Sequence, residues 1–241
     1  MQSKNSLKIK IQRETLQEFE LDVHDVTLLS ALNTIKMEID PTLTYASGCR
    51  SSVCGSCSMR VNGREVLACS YKLQDGDVVE PLKNVPVIRD LVVDMSKSLS
   101  FNASSKAWLS TLSSGVALSH HDEKVNEIQS DCILCGSCYS ACPVYSVNEE
   151  FLGPFALTRV WKYVSDKRES DSTLKIDTIQ KNGVWDCTLC NECTLVCPQN
   201  ISSKADIEKL RMKSTVAGYS DPSFASGSFG GGFGFDGSPS F

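Results

Sequence analysis

The first hundred residues alternate apolar and polar positions in short stretches, as half-buried strands do. Leu7 to Ile11 gives the clearest alternation, and Phe19 to Val23 gives a second, shorter one. Leu28 to Ile39 instead places its apolar residues near helical spacing, and Asp40-Pro41 ends that stretch. The pattern predicts two strands followed by one helix.

A hairpin is indicated further along the chain. Asn62-Gly63 separates Met59–Val61 from Arg64–Leu67, and this dipeptide is the preferred two-residue turn between antiparallel strands. Together with the preceding elements, the hairpin predicts a small sheet wrapped around one helix.

From about Ser96 onward the alternation stops. Ala107 to Leu118, Phe155 to Val164 and Ile201 to Lys213 have the spacing of helices. We therefore place a domain boundary in the serine-rich stretch Ser96 to Ser105, with an α+β domain at residues 1–100 and an α-helical domain at residues 101–215.

The last stretch, residues 216–241, is rich in Gly and Ser with phenylalanines spaced among them. Such a composition cannot bury a core, because it offers too little contiguous apolar surface. A disordered tail is predicted there.

The chain has twelve cysteines, which fall into three groups of four separated by long cysteine-free stretches. The first group is Cys49, Cys54, Cys57 and Cys69; the second is Cys132, Cys135, Cys138 and Cys142; the third is Cys187, Cys190, Cys193 and Cys197.

The first group has the spacing C-x4-C-x2-C followed by a more distant cysteine. That spacing is typical of plant-type 2Fe–2S sites, in which four thiolates converge on two irons within one tight loop. Gly48 and Gly55 allow the backbone of such a loop to bend without a Cβ clash. We predict a 2Fe–2S site here.

The second and third groups share the pattern C-x2-C-x2-C-x3-C-P, which amounts to an internal repeat and is typical of bacterial ferredoxins. In paired runs of this kind the fourth cysteine of each run ligates the other cluster. This rule predicts one 4Fe–4S cluster on Cys132, Cys135, Cys138 and Cys197. A second would be held by Cys142, Cys187, Cys190 and Cys193.

Cysteines can also form disulfides or bind structural zinc. Six disulfides would suit a small secreted protein, and the N-terminal segment has no apolar stretch of the kind that a signal peptide needs. Structural zinc also binds cysteine tetrads, so a zinc-stapled interaction module is the alternative from another functional class. The net charge of -5 argues against a nucleic-acid partner, and no stretch of about 18 apolar residues predicts a membrane span.

Residues beyond the cysteines carry a resemblance to a known family. In the first domain they are Ile11 to Arg13, the loop Cys49 to Cys57, Val61-Asn62-Gly63, Leu67-Ala68-Cys69, Pro81-Leu82 and Val85 to Asp94. In the second they are Phe151-Leu152-Gly153-Pro154 and Arg159. Over residues 6–213 the chain resembles the iron–sulfur subunit of succinate dehydrogenases and fumarate reductases.

The resemblance implies a β-grasp 2Fe–2S domain followed by an all-α, bacterial-ferredoxin-like domain with two clusters. It also implies a role in electron transfer within a succinate:quinone or quinol:fumarate oxidoreductase, with no substrate site on this chain. The implied partners are a FAD-containing flavoprotein subunit and a membrane anchor subunit.

The chain departs from the commonest family pattern in its last run. Most relatives carry an apolar residue where this chain has Cys190, which leaves a 3Fe–4S cluster; here a fourth ligand is present, so we expect 4Fe–4S. Relatives that build a quinone pocket often have Trp after C-P and His after the first cysteine of the last run. Here Ser146 or Val147, and Thr188, stand at these positions. Ser52 replaces a common Gly, which is expected to change hydrogen bonding.

These departures resemble the variant complexes whose anchor is a cysteine-rich, heterodisulfide-reductase-like subunit. They leave open a thiol-dependent fumarate reductase or heterodisulfide-reductase-like complex as an alternative. The resemblance implies a peripheral position on the inner membrane through the partners. The cytoplasmic face is favoured, and the periplasmic face stays open if the chain is exported together with a partner.

Overall fold

The computed structural model describes residues 6–225, whose strands precede most of the helices along the chain. The strands are β1 (Leu7–Gln12), β2 (Leu16–Leu21), β3 (Ser58–Val61), β4 (Arg64–Leu67), β5 (Asp77–Glu80), β6 (Val87–Arg89) and β7 (Val92–Val93). The helices are α1 (Leu28–Thr34), α2 (Ser96–Ser104), α3 (His120–Lys124), α4 (Glu127–Ser130), α5 (Ser137–Ser140), α6 (Pro154–Val164), α7 (Thr173–Thr178), α8 (Glu192–Leu195), α9 (Ser203–Val216) and α10 (Pro222–Ala225). This is the α+β arrangement that the sequence predicts.

The five-stranded sheet has the order β2-β1-β5-β3-β4. Strands β1 and β5 are parallel, and the other neighbours are antiparallel. The predicted hairpin is confirmed: β3 and β4 pair from Ser58 opposite Leu67 to Val61 opposite Arg64. Its turn residues Asn62 and Gly63 both have positive φ, 50° and 81°, which matches the twist of the two strands.

Helix α1 packs on one face of this sheet. The Thr27 side chain caps its first turn by accepting a hydrogen bond from the Ser30 N–H at 3.3 Å. A π-helical turn, Ile35–Ile39, continues it to the end predicted from Asp40-Pro41. The alternating residues Ile9 and Ile11 of β1 are fully buried against the helix, so the apolar positions read from the pattern do form the first core.

The second strand differs from its prediction. The structure places it at Leu16–Leu21 instead of Phe19 to Val23. Its register with β1, from Leu7 opposite Leu21 to Gln12 opposite Leu16, fixes both ends and leaves Val23 beyond the paired segment. The pairing of β2 with β1 therefore sets the ends of this strand, and the local alternation of apolar and polar residues does not.

The helical region is built around α6 and α9, which pack against each other and confirm two of the predicted helices. Pro154 occupies the first turn of α6, where its missing N–H costs nothing. The second core includes Tyr139, Phe151, Phe155, Trp161 and Ile207. It lies directly beneath the two later cysteine runs.

The helix predicted for Ala107 to Leu118 is wrong. This stretch forms no helix; instead the N–H groups of Ser110 and Thr111 donate to the Glu169 carboxylate at 3.0 and 3.1 Å. Its serines, threonine and Gly115 have weak helix propensity, and a buried acceptor on the neighbouring segment satisfies their backbone better than a helix would.

The serine-rich stretch proposed as a boundary is helix α2, which lies across it. Phe101 of that helix is 7% exposed and packs in the second core, whereas Leu91, at 3%, belongs to the first. The change from one core to the other therefore falls between these two residues. Helix α9 continues to Val216, and most of the predicted tail, residues 226–241, lies outside the described residues.

Candidate metal centres

The first cysteine group lies on a loop that precedes β3. Arg50, Ser52 and Gly55 have φ of 60°, 62° and 72°, so the chain repeatedly takes the left-handed conformation there. This winding brings N–H groups to sulfur: Cys49 N–H points at Cys54 Sγ at 3.3 Å, and Ser51 N–H at Cys49 Sγ at 3.4 Å. A loop of this kind can surround a cluster with thiols and donors.

The sheet completes the first group. Cys57 is buried at the start of β3, and Cys69 follows β4, joined through the Ala68 N–H, which donates to the Cys57 carbonyl at 3.0 Å. Burial raises the pKa of the Cys57 thiol to about 11. The N–H groups of Ser51 and Val53 lower the pKa of the exposed Cys49 thiol to about 6. The hairpin and the loop therefore bring all four predicted residues to one edge of the sheet.

Ser52 differs from the family pattern in the way the sequence predicts. Its hydroxyl lies 3.4 Å from Cys69 Sγ, a contact that glycine cannot make. The residue also holds a positive φ of 62°, which explains why glycine suits this position.

The second and third groups repeat one backbone conformation. Leu134 and Leu189 have φ of 53° and 56°, and Gly136 and Asn191, two residues on, have 83° and 74°. A short helix then follows in each run, α5 in the first and α8 in the second. The internal repeat in the sequence is thus an internal repeat in structure.

The two runs exchange their last cysteines. One cavity, about 390 Å³ including space open to solvent, is lined by Cys132, Cys135, Cys138 and Cys197. We call it the middle site. A second cavity, about 310 Å³ on the same measure, is lined by Cys142, Cys187, Cys190 and Cys193, and we call it the last site. These are the two sets that the crossover rule predicts.

The thiols influence one another within each set and between the two sets. Burial raises the pKa of Cys193 to about 12, and the like charges of Cys187, Cys142 and Cys190 add to the rise. Burial likewise raises the pKa of Cys138 well above its usual range, with Cys135 and Cys132 contributing. A coordinated iron deprotonates such a thiol, so cations in the cavities would offset the burial and like-charge repulsion that otherwise keep these thiols protonated.

The two later cysteine sets surround cavities. A tetrahedral zinc site has four sulfurs about 2.3 Å from one point. Within residues 6–225, no three His, Cys, Asp or Glu side chains are grouped closely enough to hold one metal ion. Four cysteines line each of the two cavities.

The three sites adjoin one another. A Cβ added to Gly55 in the first loop would lie 2.8 Å from both Cys135 Cβ and the Ile133 carbonyl oxygen, so the backbone of the first site touches the middle site. Gln199 also donates to the Ser52 carbonyl at 3.1 Å. The middle and last sites are neighbours as well, because the charge of the Cys193 thiol contributes to the raised pKa of Cys138.

Two residues that support these sites were missed from the sequence. Asn84 donates through Nδ2 to the carbonyls of Tyr139, Ser140 and Cys142, at 2.9 to 3.2 Å. Arg211 donates to the carbonyls of Val184, Trp185 and Cys187. No spacing rule links either residue to the cysteines, so only the tertiary structure reveals them.

No helix in the described part of the chain, residues 6–225, is long and apolar enough to cross a membrane.

Comparison with known proteins gives two family matches and many relatives. Residues 4–100 match the model of the 2Fe-2S iron-sulfur cluster binding domain, and residues 128–201 match that of the 4Fe-4S dicluster domain. The family models therefore support iron–sulfur clusters over zinc. They coincide with the first site and with the two cysteine runs.

Among curated relatives, the iron–sulfur subunit of 8-methylmenaquinol:fumarate reductase from Wolinella succinogenes is 36% identical over 82% of this chain. The aligned part spans 66% of that protein. The fumarate reductase iron–sulfur subunit of Escherichia coli is 37% identical over 78% of this chain and 81% of its own length. The succinate dehydrogenase iron–sulfur subunit of Paracoccus denitrificans is 33% identical over 80% and 78%.

A solved structure, the Sdh1 complex of Mycobacterium smegmatis in the apo form, contains a chain with the same fold. The TM-score is 0.79 at 22% identity, covering 90% of this chain and 99% of that one.

Proposed function

We propose that this chain, which belongs to the family of fumarate reductase and succinate dehydrogenase iron–sulfur subunits, carries electrons between a FAD-containing flavoprotein subunit and a membrane anchor subunit. One observation carries the proposal: the chain has three cysteine sites, and the middle site neighbours both others. Such an arrangement suits stepwise electron transfer through a protein that has no substrate site of its own.

The ligand sets follow from the same geometry. The first site, at the edge of a β-grasp domain, would hold 2Fe–2S on Cys49, Cys54, Cys57 and Cys69. The middle site would hold 4Fe–4S on Cys132, Cys135, Cys138 and Cys197, and the last site a second 4Fe–4S on Cys142, Cys187, Cys190 and Cys193. The crossed lining of the two cavities supports this division.

The domain limits are part of the proposal. Residues 1–100 would form the 2Fe–2S domain, and residues 101–215 an α-helical, bacterial-ferredoxin-like domain. The passage from the first core at Leu91 to the second at Phe101 supports a limit close to residue 100.

When bound, the clusters supply one-electron chemistry; the protein supplies position and environment. Left-handed residues aim thiols inward, and N–H groups such as those of Tyr145, Leu189 and Ile201 donate to Cys142, Cys187 and Cys197 Sγ, each at 3.4 Å. Apolar walls such as Phe155 keep water from the middle site. These are the features that tune a potential without taking part in bond making.

The last site would face the anchor, because its Cys190 is exposed and so is Leu195, on α8 of the same run. Its fourth cysteine favours 4Fe–4S over 3Fe–4S, and Thr188 in place of a quinone-contacting histidine favours a cysteine-rich anchor. The chain would then be peripheral on the inner membrane through its partners, at the cytoplasmic face.

The proposal is tested on the complex purified anaerobically with its partners. We expect about ten irons and matching acid-labile sulfide per chain, and three signals in an EPR redox titration. A flavoprotein and a cysteine-rich anchor should co-purify. Colourless protein loaded with zinc would refute the redox function, and a stoichiometric 3Fe–4S signal in the oxidised complex would refute only the ligand set of the last site.

A further inference from the structure

A buried carboxyl lies behind the middle site. Asp206, on α9, is 1% exposed, and Gln129, on α4, is 4% exposed; Gln129 Nε2 donates to Asp206 Oδ1 at 2.9 Å. A cation also lies nearby: Lys209 Nζ is 3.6 Å from the same oxygen, and the Lys209 side chain is 46% exposed. The carboxyl is therefore deeply buried but has one neighbour that reaches solvent.

The pair is adjacent to the middle cavity. Thr158 of α6 lines that cavity and also lies beside Asp206. Ser203, one turn before Asp206 on the same face of α9, lines the cavity as well. Gln129 is three residues before Cys132, so the elements that carry this pair also form the wall of the site.

The hydrogen bonding around Asp206 is incomplete when the carboxyl is ionised. In the described structure, Asp206 Oδ2, Gln129 Oε1 and Thr158 Oγ1 are buried without a hydrogen-bond partner. The first two are both acceptors on side chains that already share one hydrogen bond. One proton on Oδ2 would turn that oxygen into a donor, which Gln129 Oε1 lacks, whereas an ionised carboxylate leaves Gln129 Oε1 without a donor. The Thr158 hydroxyl beside the carboxyl acts in the opposite direction, because it favours the ionised form.

We propose that Asp206 is a redox-linked proton site of the middle cluster, binding a proton when that cluster gains an electron and releasing it on oxidation. The inference rests on the proposed function. The electron comes from the neighbouring site and the proton from solvent past Lys209: one electron and one proton enter, and the carboxylate becomes a carboxylic acid. The added negative charge behind Thr158 favours the protonated carboxyl.

The groups facing Asp206 are consistent with a single proton. Gln129 from α4 and Thr158 from α6 are neutral, and Lys209 from its own helix is the one charged group among those acting on it. Burial raises the pKa of Asp206 to about 6, against the opposing influence of Gln129 and Lys209. With a pKa of about 6, the carboxyl can gain or lose its proton near neutral pH when a nearby charge changes.

The test is redox potentiometry of the intact complex, followed by EPR, at pH values on both sides of 6. We expect the midpoint potential of the middle cluster to fall as pH rises, approaching a tenfold change in electron affinity per pH unit, or 59 mV for one electron. Asp206→Asn should abolish that slope. Glu208→Gln removes a carboxylate from the same helix and should leave the slope unchanged.

Infrared difference spectra provide a second readout, which detects the protonated carboxyl directly. Reduction of the wild-type complex at neutral pH should produce the C=O band of a protonated carboxylic acid, absent from Asp206→Asn. A middle cluster without pH dependence, a slope that survives in Asp206→Asn, or a wild-type spectrum without the band would each overturn the proposal. Missing clusters would instead count against the proposed function.

Discussion

The two C-x2-C-x2-C-x3-C-P runs have the same backbone and opposite surroundings. In the first run, Gly136 approaches Met95 and Leu82, and Ser137 and Ser140 are almost fully buried. In the second run, Cys190 is exposed and Leu195 is 65% exposed. The sequence motif therefore fixes how thiols are aimed, and the packing around each run decides what the site can reach.

The difference comes from the sheet domain, which packs on the first run. Ser58 on β3 lies 2.9 Å from the Ser137 hydroxyl, Glu65 accepts from Ser140 Oγ at 2.7 Å, and the Lys83 N–H donates to that same oxygen at 2.8 Å. The middle site is thereby enclosed between two domains. The last site has one exposed cysteine, Cys190, and nothing of the sheet domain packs on its run in the contacts above.

The sharpest way to break the comparison is to remove one cysteine from each run. Cys138→Ala removes a proposed ligand of the middle site, on which the sheet domain packs, so we expect loss of about four irons and a large fall in thermal stability. Cys190→Ala takes the exposed ligand of the last site and should cost about one iron, leaving 3Fe–4S. Iron analysis and EPR of the oxidised protein measure both.

Equal iron loss in the two variants would contradict the assigned difference in enclosure. Ser51→Ala, in the first loop, is a suitable control, because its hydroxyl donates only to the Cys49 carbonyl and it should change neither count.

The contact between the sheet domain and the first run can be broken at one atom. Gly55→Ala forces a Cβ to within 2.8 Å of the Ile133 carbonyl oxygen and Cys135 Cβ, at a φ of 72°. We expect about 3 kcal/mol of destabilisation, from overpacking and left-handed strain together. Thermal unfolding under anaerobic conditions measures it.

Gly63→Ala supplies the matched control. It has a similar φ of 81°, but among the described residues the closest atom to an added Cβ is Arg60 Nη2 at 3.6 Å. Strain alone should cost about 1 kcal/mol. If both variants lose the same amount, the close approach of the two loops has no energetic importance.

The buried carboxyl of Asp206, which lies behind the middle site, makes stability depend on pH. The unfolded carboxyl ionises near 3.8 and the folded one near 6, so the folded state keeps a proton that the unfolded state has released. Stability therefore falls as pH rises between these values, by up to about 3 kcal/mol. Asp206→Asn, which cannot ionise and can still pair with Gln129, should be roughly 2 kcal/mol more stable than wild type at neutral pH.

Denaturant unfolding of both proteins across this pH range measures the effect. Their stabilities should converge below pH 3.8, where both side chains are neutral. A gap that does not change with pH would mean that folding does not shift the pKa of the wild-type carboxyl, which would contradict this prediction.

Several features of this molecule can be predicted from the sequence, because the spacing of the cysteines and the residues of the turn lie within short segments. The Asn62-Gly63 hairpin and the crossover of Cys142 and Cys197 both follow from short motifs, and the structure has the hairpin and brings the crossed sets together. The false helix at Ala107 to Leu118 shows where local reasoning ends. Its backbone is decided by Glu169, more than fifty residues away.

The buried pair of Asp206 and Gln129 was equally invisible. An Asp on a mostly polar helix such as α9 is expected at the surface, and its burial depends on α4 and α6 covering it. The exposure of Cys190 could not be predicted either, because the two runs have the same ligand spacing. Differences of this kind are set by tertiary packing and not by the motif.

The smallest expected effects sharpen the comparison at the left-handed position that the runs share. Asn191→Gly should change stability by only about 0.5 kcal/mol, since both residues tolerate a φ of 74° and glycine mainly adds unfolded-state entropy.

Gly136→Asn should cost more, about 1.5 kcal/mol, because its Cβ would lie 2.6 Å from Met95 Cε and 3.3 Å from Leu82 Cδ1, and only the methionine can move easily. Thermal unfolding of the two variants side by side decides the matter: equal costs would mean that the first run is no more tightly enclosed than the second.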